Sequence, residues 1–412
     1  MKDVTITPKL RALRNALFVI FALSGAGLAT WITRTPSIRE SLGISVGDMG
    51  WIIFGLAVGS MAGLTAASRV VSTRGARLGM LVGGLCIGAG LILTGAGSAL
   101  SSGWLTFAGL AITGAGFGLL EVALNVEGAE LERSTGKTCL PAIHAAFSLG
   151  TVSGSGIGMW ASFATIPVEA HLGGVGFLVI IGCLSSLRFI TAGTGVEERP
   201  DPAERSKGGT LHVWRERRTV LLGVVVLGMA FAEGSGNDWI PLAMVDGHQT
   251  DEVTASLAFA VYAGMMTVVR ILGARLVDRF GRIWTLRGLG VAAAVGLLLV
   301  IYGPGPEFAV IGTGLWGAGV ALGFPLGLSA AADNPRGTAA RVSAVATLGY
   351  IAFLIGPPVL GLLSDESGIL PSLHLVLTGV AVAIVFAGAA RPLKGTPRRV
   401  AAHSAEDNAT KR

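Results

Sequence analysis

Twelve apolar runs follow one another along the chain, and each is long enough to cross a lipid bilayer as a helix. A helix rises about 1.5 Å per residue and the hydrocarbon core is about 30 Å thick, so a crossing helix needs roughly 20 apolar residues. The runs, numbered here as spans 1 to 12, lie at 15–33, 48–67, 78–99, 104–126, 141–165, 172–192, 219–243, 254–276, 284–303, 308–331, 342–363 and 370–390. This pattern predicts an all-α membrane protein with twelve transmembrane helices.

A polar segment rich in Glu, Arg, Pro and Gly separates the first six spans from the last six. The predicted organisation is an N-terminal six-helix bundle at 1–192, a linker at 193–218, a C-terminal six-helix bundle at 219–391 and a tail at 392–412. Two bundles joined in this way are typical of secondary transporters, in which the bundles rock about a central cavity.

Composition and charge agree with a membrane location, since 51% of the residues are hydrophobic and only 14% are charged. The net charge of +6 does not indicate nucleic-acid binding, because the basic residues lie in short pieces between the spans. With both termini inside, 28 of the 31 Lys and Arg residues fall on the cytoplasmic side, Arg270 lies within span 8, and only Arg34 and Arg39 fall outside. We interpret the first apolar run as a retained span rather than a signal peptide.

The chain offers no pattern for a cofactor, a metal ion or a disulfide framework. Cys86, Cys139 and Cys183 fall in or beside predicted spans and show no C-x-x-C spacing. There is no Walker A segment, and glycine-rich stretches such as Gly114 to Gly118 lie inside apolar runs rather than after a strand. We therefore expect neither a cofactor nor an enzyme.

A charged turn lies between spans 8 and 9, and a weaker copy lies 205 residues earlier, between spans 2 and 3. Glycine allows the turn and close helix contact, while the basic residues stay on the aqueous side of the membrane. In the earlier copy Ser72 stands where the acid is expected. The residues of the two turns are Gly273, Asp278, Arg279, Gly281 and Arg282, and Arg74, Gly75 and Arg77.

The later turn resembles the loop signature of the major facilitator superfamily, in which a glycine precedes an Asp-Arg-x-Gly-Arg run. The resemblance covers nearly the whole chain once the spans are counted. It implies transport by alternating access in a monomer. It also implies that Asp278, Arg279 and Arg282 hold the closed cytoplasmic face by pairing with charges and helix ends across the bundle interface.

Ionisable residues inside spans are costly unless they are paired or face a wet cavity, so each is a functional candidate. Glu121 and Asn125 lie four residues apart on span 4 and so share one helix face. Glu121 is the first candidate for proton coupling; its alternative is a structural hydrogen bond within the bundle.

The Glu-x-x-x-Asn pattern resembles the fucose permease type of sugar–proton symporter, which implies that Glu121 is the protonation site and Asn125 a substrate contact. Span 1 departs from that pattern, because Arg34 follows it where those symporters have an acid. The chain as a whole is more similar to the MosC-like branch of bacterial inner-membrane proteins. The resemblance implies a bacterial cytoplasmic (inner) membrane location.

Spans 7 and 8 contain a second group of candidates. Glu233 and Asn237 repeat the four-residue spacing, and Asp238 follows directly. We expect Glu233 and Asp238 to assist proton coupling and Asn237 to contact substrate, although Asp238 could instead mark the membrane interface. Arg270 either neutralises an acid in the cavity, binds substrate, or extends toward Asp278 as a structural residue.

Three further residues are candidates with open alternatives. His144 either relays protons or makes a capping contact near the membrane surface. Trp31 and Tyr350 either stack against a substrate or pack within the protein. Taken together, the sequence predicts a proton-coupled transporter of a small polar solute such as a sugar, polyol or inositol, with protons and the bilayer as its other partners. The alternative is a proton-driven exporter of drugs or metabolites.

Overall fold

The computed structural model describes residues 7–135, 139–196, 210–333 and 338–393. The regular elements within these ranges are helices. The predicted linker overlaps 197–209 and the predicted tail overlaps 394–412, so those parts of the two predictions lie outside the described residues.

The first half of the chain forms seven α-helices. Their bounds are α1 Pro8–Thr33, α2 Thr35–Leu42, α3 Val46–Arg74, α4 Ala76–Ala99, α5 Gly103–Thr135, α6 Leu140–Phe163 and α7 Val168–Leu187. The short helix α2 was not predicted, since eight residues with a charged face cannot cross a bilayer. We call α1 to α7 the N half.

The second half forms six α-helices and three short helical turns. The α-helices are α8 Arg217–Leu242, α9 Glu252–Tyr302, α10 Pro306–Val320, α11 Gly323–Ala331, α12 Thr338–Ser367 and α13 Ile369–Phe386. A 3₁₀ turn at Thr210–Arg215 precedes α8, a π-helical turn at Ala243–Gly247 follows it, and a 3₁₀ turn at Ala387–Ala390 follows α13. We call α8 to α13 the C half.

The prediction of twelve membrane crossings is confirmed. Ten helical segments in the described part of the chain are long and apolar enough to cross a membrane. One of them, α9, has 51 residues and contains both span 8 and span 9, which meet at a kink at Gly281. Helix α6 is apolar and 24 residues long and accounts for span 5, while α10 and α11 together account for span 10.

The two charged turns have the same backbone geometry. Gly281 has φ +74° and Gly75 has φ +88°, a region that residues with a Cβ avoid. These equivalent glycines are 206 residues apart, so the predicted offset of 205 was wrong by one residue. In the corrected register Ser72 corresponds to Asp278, while Thr73 rather than Arg74 corresponds to Arg279.

Glycines on α3 and α5 allow these two helices to touch backbone to backbone. A Cβ added at Gly59 would lie 1.9 Å from the carbonyl oxygen of Ala111, and one at Gly63 would lie 2.2 Å from that of Ala115. From the other helix, a Cβ at Gly114 would lie 2.0 Å from the carbonyl oxygen of Leu56. Small residues that interlock in this way replace the hydrophobic effect as the source of helix association in lipid.

We expect Gly59→Ala to destabilise the protein by about 1–3 kcal/mol, because the added methyl group meets the backbone of α5, which cannot move aside as a flexible side chain could. The midpoint of thermal unfolding in detergent measures the effect. Gly156→Ala on α6 is the matched control, since a Cβ there meets nothing within 4 Å. An equal fall in both midpoints would contradict the packing argument.

The halves contact each other mainly through α3 against α12 and α6 against α9. We call the end of the molecule that contains Arg34 and Asp246 the outer end, following the sequence-based orientation. The opposite end, which contains Gly75 and Gly281, is the inner end.

Candidate functional site

A cavity of about 230 Å³ lies between the two halves. Helices α1, α3 and α5 form one side, and α8 and α12 form the other. Its wall is largely apolar, with Ile53, Leu56, Phe117 and Phe353 among the lining residues. Its polar groups converge from both halves and comprise Ser60, Glu121, Asn237, Asp238 and Tyr350. An apolar pocket with a few convergent polar groups is the usual form of a small-molecule site.

Two carboxyl groups face this cavity, Glu121 from the N half and Asp238 from the C half. Neither makes a hydrogen bond or a salt bridge to any residue that the structure describes. Asp238 thus lies in the cavity rather than at the membrane interface. Two acids without a cation, held in a mostly apolar chamber, are groups that can bind and release protons.

Glu233 and Arg270 form an ion pair beside the cavity. Arg270 Nη2 donates to Glu233 Oε1 at 2.5 Å, and the hydroxyl of Tyr262 donates to the Glu233 carbonyl oxygen at 2.8 Å. The structure therefore shows Arg270 paired with an acid, Glu233, which lies beside the cavity rather than in it, and does not show the approach of Arg270 to Asp278. Glu233 does not line the cavity, because its carboxylate is turned toward α9 and is only 13% exposed.

Asn125 lies one helical turn from Glu121 toward the inner end, and it is bound by His144. His144 Nε2 lies 3.0 Å from Asn125 Oδ1, and the His144 ring meets the ring of Phe21 edge to face at 5.1 Å. Arg270 of the opposite half lies within electrostatic range of His144. Sequence reasoning left the role of His144 open because proximity to Asn125 depends on how α5 and α6 pack.

The two aromatic candidates occupy different environments. Tyr350 lines the cavity and is 36% exposed. Trp31 is fully buried, is absent from the cavity lining, and its indole nitrogen has no partner among the described residues. In this conformation Trp31 therefore packs within the protein, the second of its two alternatives, and the adjacent Ile32 lines the cavity.

At the inner end, the charged turn of the C half binds within its own half. Arg282 Nη1 donates to both carboxylate oxygens of Asp333, at 3.1 and 2.9 Å, and Arg218 donates to the same carboxylate at 2.8 Å. Among the described residues, Asp278 and Arg279 have no ion-pair partner, and the Arg279 guanidinium lies over Phe280. Among the described residues, the expected pairing of Asp278 and Arg279 across the bundle interface is thus not seen in this conformation.

A second ion pair lies at the inner end of the C half. Glu216 accepts two hydrogen bonds from Arg341, each 2.6 Å long. These bonds hold the pKa of the Glu216 carboxyl below its usual value, so the pair stays charged at neutral pH.

The N half has a different arrangement at the same level. Glu127 lies 206 residues before Asp333, is fully buried, and pairs with no cation among the described residues. Its carboxyl group lies beside the side chain of Thr194 and the backbone of Thr191. Arg74 and Arg77 are exposed, and the backbone of Gly75 packs against Gly193. The amide of Ala76 donates to the carbonyl oxygen of Thr194 at 2.8 Å.

The two halves are tied together at the outer end. Arg39 donates to Asp246 at 2.5 Å, and Glu252 lies 3.8 Å from Arg34 and accepts a hydrogen bond from Ser37. Between α3 and α12, Asp365 accepts hydrogen bonds from Ser45 Oγ at 2.9 Å and from the amide of Gly47 at 2.8 Å. Between described residues, every hydrogen bond and salt bridge that joins the halves lies at this end.

Sequence relatives share this architecture. The sequence model of the Major Facilitator Superfamily matches residues 16–357 and 239–410. An uncharacterized MFS-type transporter of Yersinia pestis is 26% identical over 356 residues, covering 85% of this chain and 88% of its own. The membrane protein MosC of Rhizobium meliloti is 22% identical over 386 residues, covering 93% of this chain and 91% of its own.

Solved structures share the fold at low sequence identity. A mutant of the nucleoside transporter NupG superposes with a TM-score of 0.75 at 14% identity, covering 93% of this chain and 98% of its own. The Escherichia coli fucose:proton symporter FucP gives 0.62 at 17% identity, covering 92% and 98%. A D-xylose–proton symporter gives 0.68 at 16% identity, covering 94% and 98%. The chain is therefore a multi-pass membrane transporter that belongs to the major facilitator superfamily.

Proposed function

We propose that this protein couples the movement of a small polyhydroxylated solute to protons across a bacterial cytoplasmic membrane. The observation that carries the proposal is the meeting of Glu121 and Asp238 in one cavity between the halves, with no cation bound to either. A carboxyl group in such a site binds a proton from one side of the membrane and releases it on the other once the halves rock.

The polar groups in the cavity suit a solute with several hydroxyl groups. Asn237 and Tyr350 offer donors and acceptors, and the apolar wall matches the faces of a sugar or cyclitol ring. The cavity of about 230 Å³ is smaller than the roughly 300 Å³ or more that pockets for drug-sized ligands occupy. Its size favours a monosaccharide-sized solute over the larger apolar compounds that a drug exporter carries.

The structural neighbours support the same solute class. The fucose symporter and the xylose symporter both carry sugars with protons, and a nucleoside also contains a sugar ring. Identities of 14–17% make this a likeness of fold, so the solute class is carried over as part of the proposal.

In the proposed cycle, the structure corresponds to the conformation closed at the outer end. Proton and solute bind when the outer contacts are broken, and both leave toward the cytoplasm when those contacts re-form. Ligands drive such a cycle through their different affinities for the two conformations. The protein acts as a monomer with both termini in the cytoplasm, and its partners are the solute, protons and lipid.

Asp246→Asn should shift the protein toward the conformation open at the outer end, because it removes the charge that Arg39 binds. A partly exposed salt bridge contributes about 1 kcal/mol, which corresponds to roughly fivefold in the ratio of the two conformations. We would introduce Ser60→Cys in the cavity, after replacing Cys86, Cys139 and Cys183, and measure its labelling by an impermeant maleimide from outside.

The control for this labelling is Glu307→Gln, an exposed acid at the outer start of α10 that makes no hydrogen bond or salt bridge to the described residues of the N half. Labelling should rise about fivefold with Asp246→Asn and stay unchanged with Glu307→Gln. Equal labelling of the two variants would show that the Arg39–Asp246 contact does not hold the outer end closed.

The proposed function is tested by the external pH of lightly buffered proteoliposomes as single solutes are added. The panel comprises D-xylose, L-fucose, myo-inositol, an amino-inositol and a nucleoside. Alkalinisation that depends on one solute would support proton symport and identify that solute. Silence across the panel, with proton-driven extrusion of a dye from the same vesicles, would replace this proposal with an exporter.

A further inference from the structure

Asn125 is held in one orientation by a neighbour on the next helix. Its side-chain oxygen lies 3.0 Å from His144 Nε2, and no other hydrogen bond to the Asn125 side chain exists among the described residues. An amide oxygen only accepts, so the ring nitrogen donates in this contact. The Asn125 amide nitrogen, with its two N–H donors, therefore has no hydrogen-bond partner among the described residues.

The free amide nitrogen lies on the face of α5 that Glu121 presents to the cavity. The two residues are four apart, which places them one turn from each other on the same side of the helix. Asn125 is half-buried, His144 is exposed, and Arg270 of the C half lies within electrostatic range of His144, so the pair faces the C half below the cavity. A solute that leaves Glu121 toward the inner end passes this pair.

We propose that His144 is a positioning residue that turns the Asn125 amide nitrogen toward the solute, and that the pair selects a solute with an oxygen acceptor at that position. The inference rests on the proposed function and specifies its substrate. A hydroxyl or carbonyl oxygen accepts from Asn125. A deoxy analogue has a hydrogen atom at that position, which cannot accept a hydrogen bond. An amino analogue has an ammonium group there, which only donates and so cannot pair with the Asn125 amide nitrogen.

Two variants separate the hydrogen bond of His144 from its packing. His144→Phe keeps an aromatic ring against Phe21 but removes the N–H donor. His144→Gln removes the ring but keeps an N–H donor on a side chain of similar reach. A purely structural role predicts that His144→Phe is the milder change, whereas a positioning role predicts that His144→Gln is.

The first readout needs no solute. In protein labelled with ¹⁵N histidine, the His144 ring signals report which nitrogen carries the proton. Asn125→Ala should shift the Nε2 signal of His144, and Asn237→Ala, on the opposite wall of the cavity, should leave it unchanged. An unshifted signal in Asn125→Ala would overturn the inference.

The second readout uses the panel solute that gives proton uptake and its deoxy and amino analogues at each ring position. In the wild type one position should show about tenfold or greater loss of affinity on either change, since an unmet donor costs about 1–3 kcal/mol. His144→Phe should abolish discrimination at that position alone, and His144→Gln should restore it. Adding Asn125→Ala to His144→Phe should cause no further loss.

The outcomes distinguish this inference from the proposed function. Uptake with unchanged discrimination in His144→Phe, or with equal losses at every ring position, would overturn the positioning role and leave symport standing. If no solute of the panel changed the external pH, symport would be overturned, and the substrate preference with it. This would hold even if the ¹⁵N shift showed that His144 binds Asn125.

Discussion

Glu121→Gln will abolish proton-driven accumulation of solute while exchange of labelled for unlabelled solute continues. Gln keeps the shape and the hydrogen-bonding atoms of Glu121 but cannot bind and release a proton. A gradient of one pH unit is worth ~1.4 kcal/mol and supports about tenfold accumulation with one proton per solute. In the variant we expect the internal concentration to rise only to the external one, measured with labelled solute in proteoliposomes.

The control for this experiment is another carboxyl on the same helix. Glu130 lies at the inner end of α5, is partly exposed, and pairs with Arg133 at 2.9 Å. Glu130→Gln should leave accumulation unchanged, because a solvated acid outside the cavity does not change its environment as the halves rock. Uphill uptake that survives in Glu121→Gln would assign proton coupling elsewhere, and Asp238→Asn would then be the variant to measure.

Arg270→Gln will destabilise the protein more than Glu233→Gln, although each breaks the same ion pair. Arg270→Gln leaves the Glu233 carboxylate with little exposure and no cation. Removing one partner of a buried pair costs about 3–5 kcal/mol. The Arg270 side chain is 38% exposed, so solvent screening reduces our expectation to about 1–3 kcal/mol. The midpoint of thermal unfolding in detergent micelles measures the loss.

The double variant Glu233→Gln, Arg270→Gln should recover most of that stability, since two neutral amides can bond to each other and leave no buried charge. Arg279→Gln serves as the matched control, because the Arg279 guanidinium has no acid partner among the described residues and its change should stay within about 0.5 kcal/mol. A double variant no more stable than Arg270→Gln would show that the charge of Glu233 is not what destabilises the single variant.

The membrane architecture could be predicted from the sequence because its signals are local. The length of each apolar run fixes a crossing helix, and the distribution of basic residues orients it. Gly281 stands where a turn must separate two spans, and its positive φ follows from the reversal of the chain. Glu121 is a polar group that cannot face lipid, so its presence in the cavity follows from the cost of the alternative. The same argument applies equally to Glu233, which does not line the cavity, so it could not show that Asp238 would be the second cavity acid.

The contacts between helices could not be predicted in the same way. Hydropathy shows that Asp246 and Asp365 are at the outer end, but their partners depend on how the halves meet. The same limit explains Trp31, because the sequence is the same whether the tryptophan ring lines the cavity or packs inside the protein. For Arg282 the motif indicated a bond across the halves, whereas the acid within reach was Asp333 of the same half.

The two arginines that bind Asp333 give the C half ion pairs at its inner end that differ from the contacts of the N half. In the C half, Arg218 at the start of α8 and Arg282 just after the kink of α9 both bind the carboxylate of Asp333, which follows α11. These ion pairs connect the three helices, so these parts move together. At the equivalent level of the N half, Glu127 pairs with no cation among the described residues, and its buried carboxyl group lies beside Thr191 and Thr194 instead. We therefore expect the inner end of the C half to move as one rigid unit, and the inner end of the N half to deform more when the two halves rock.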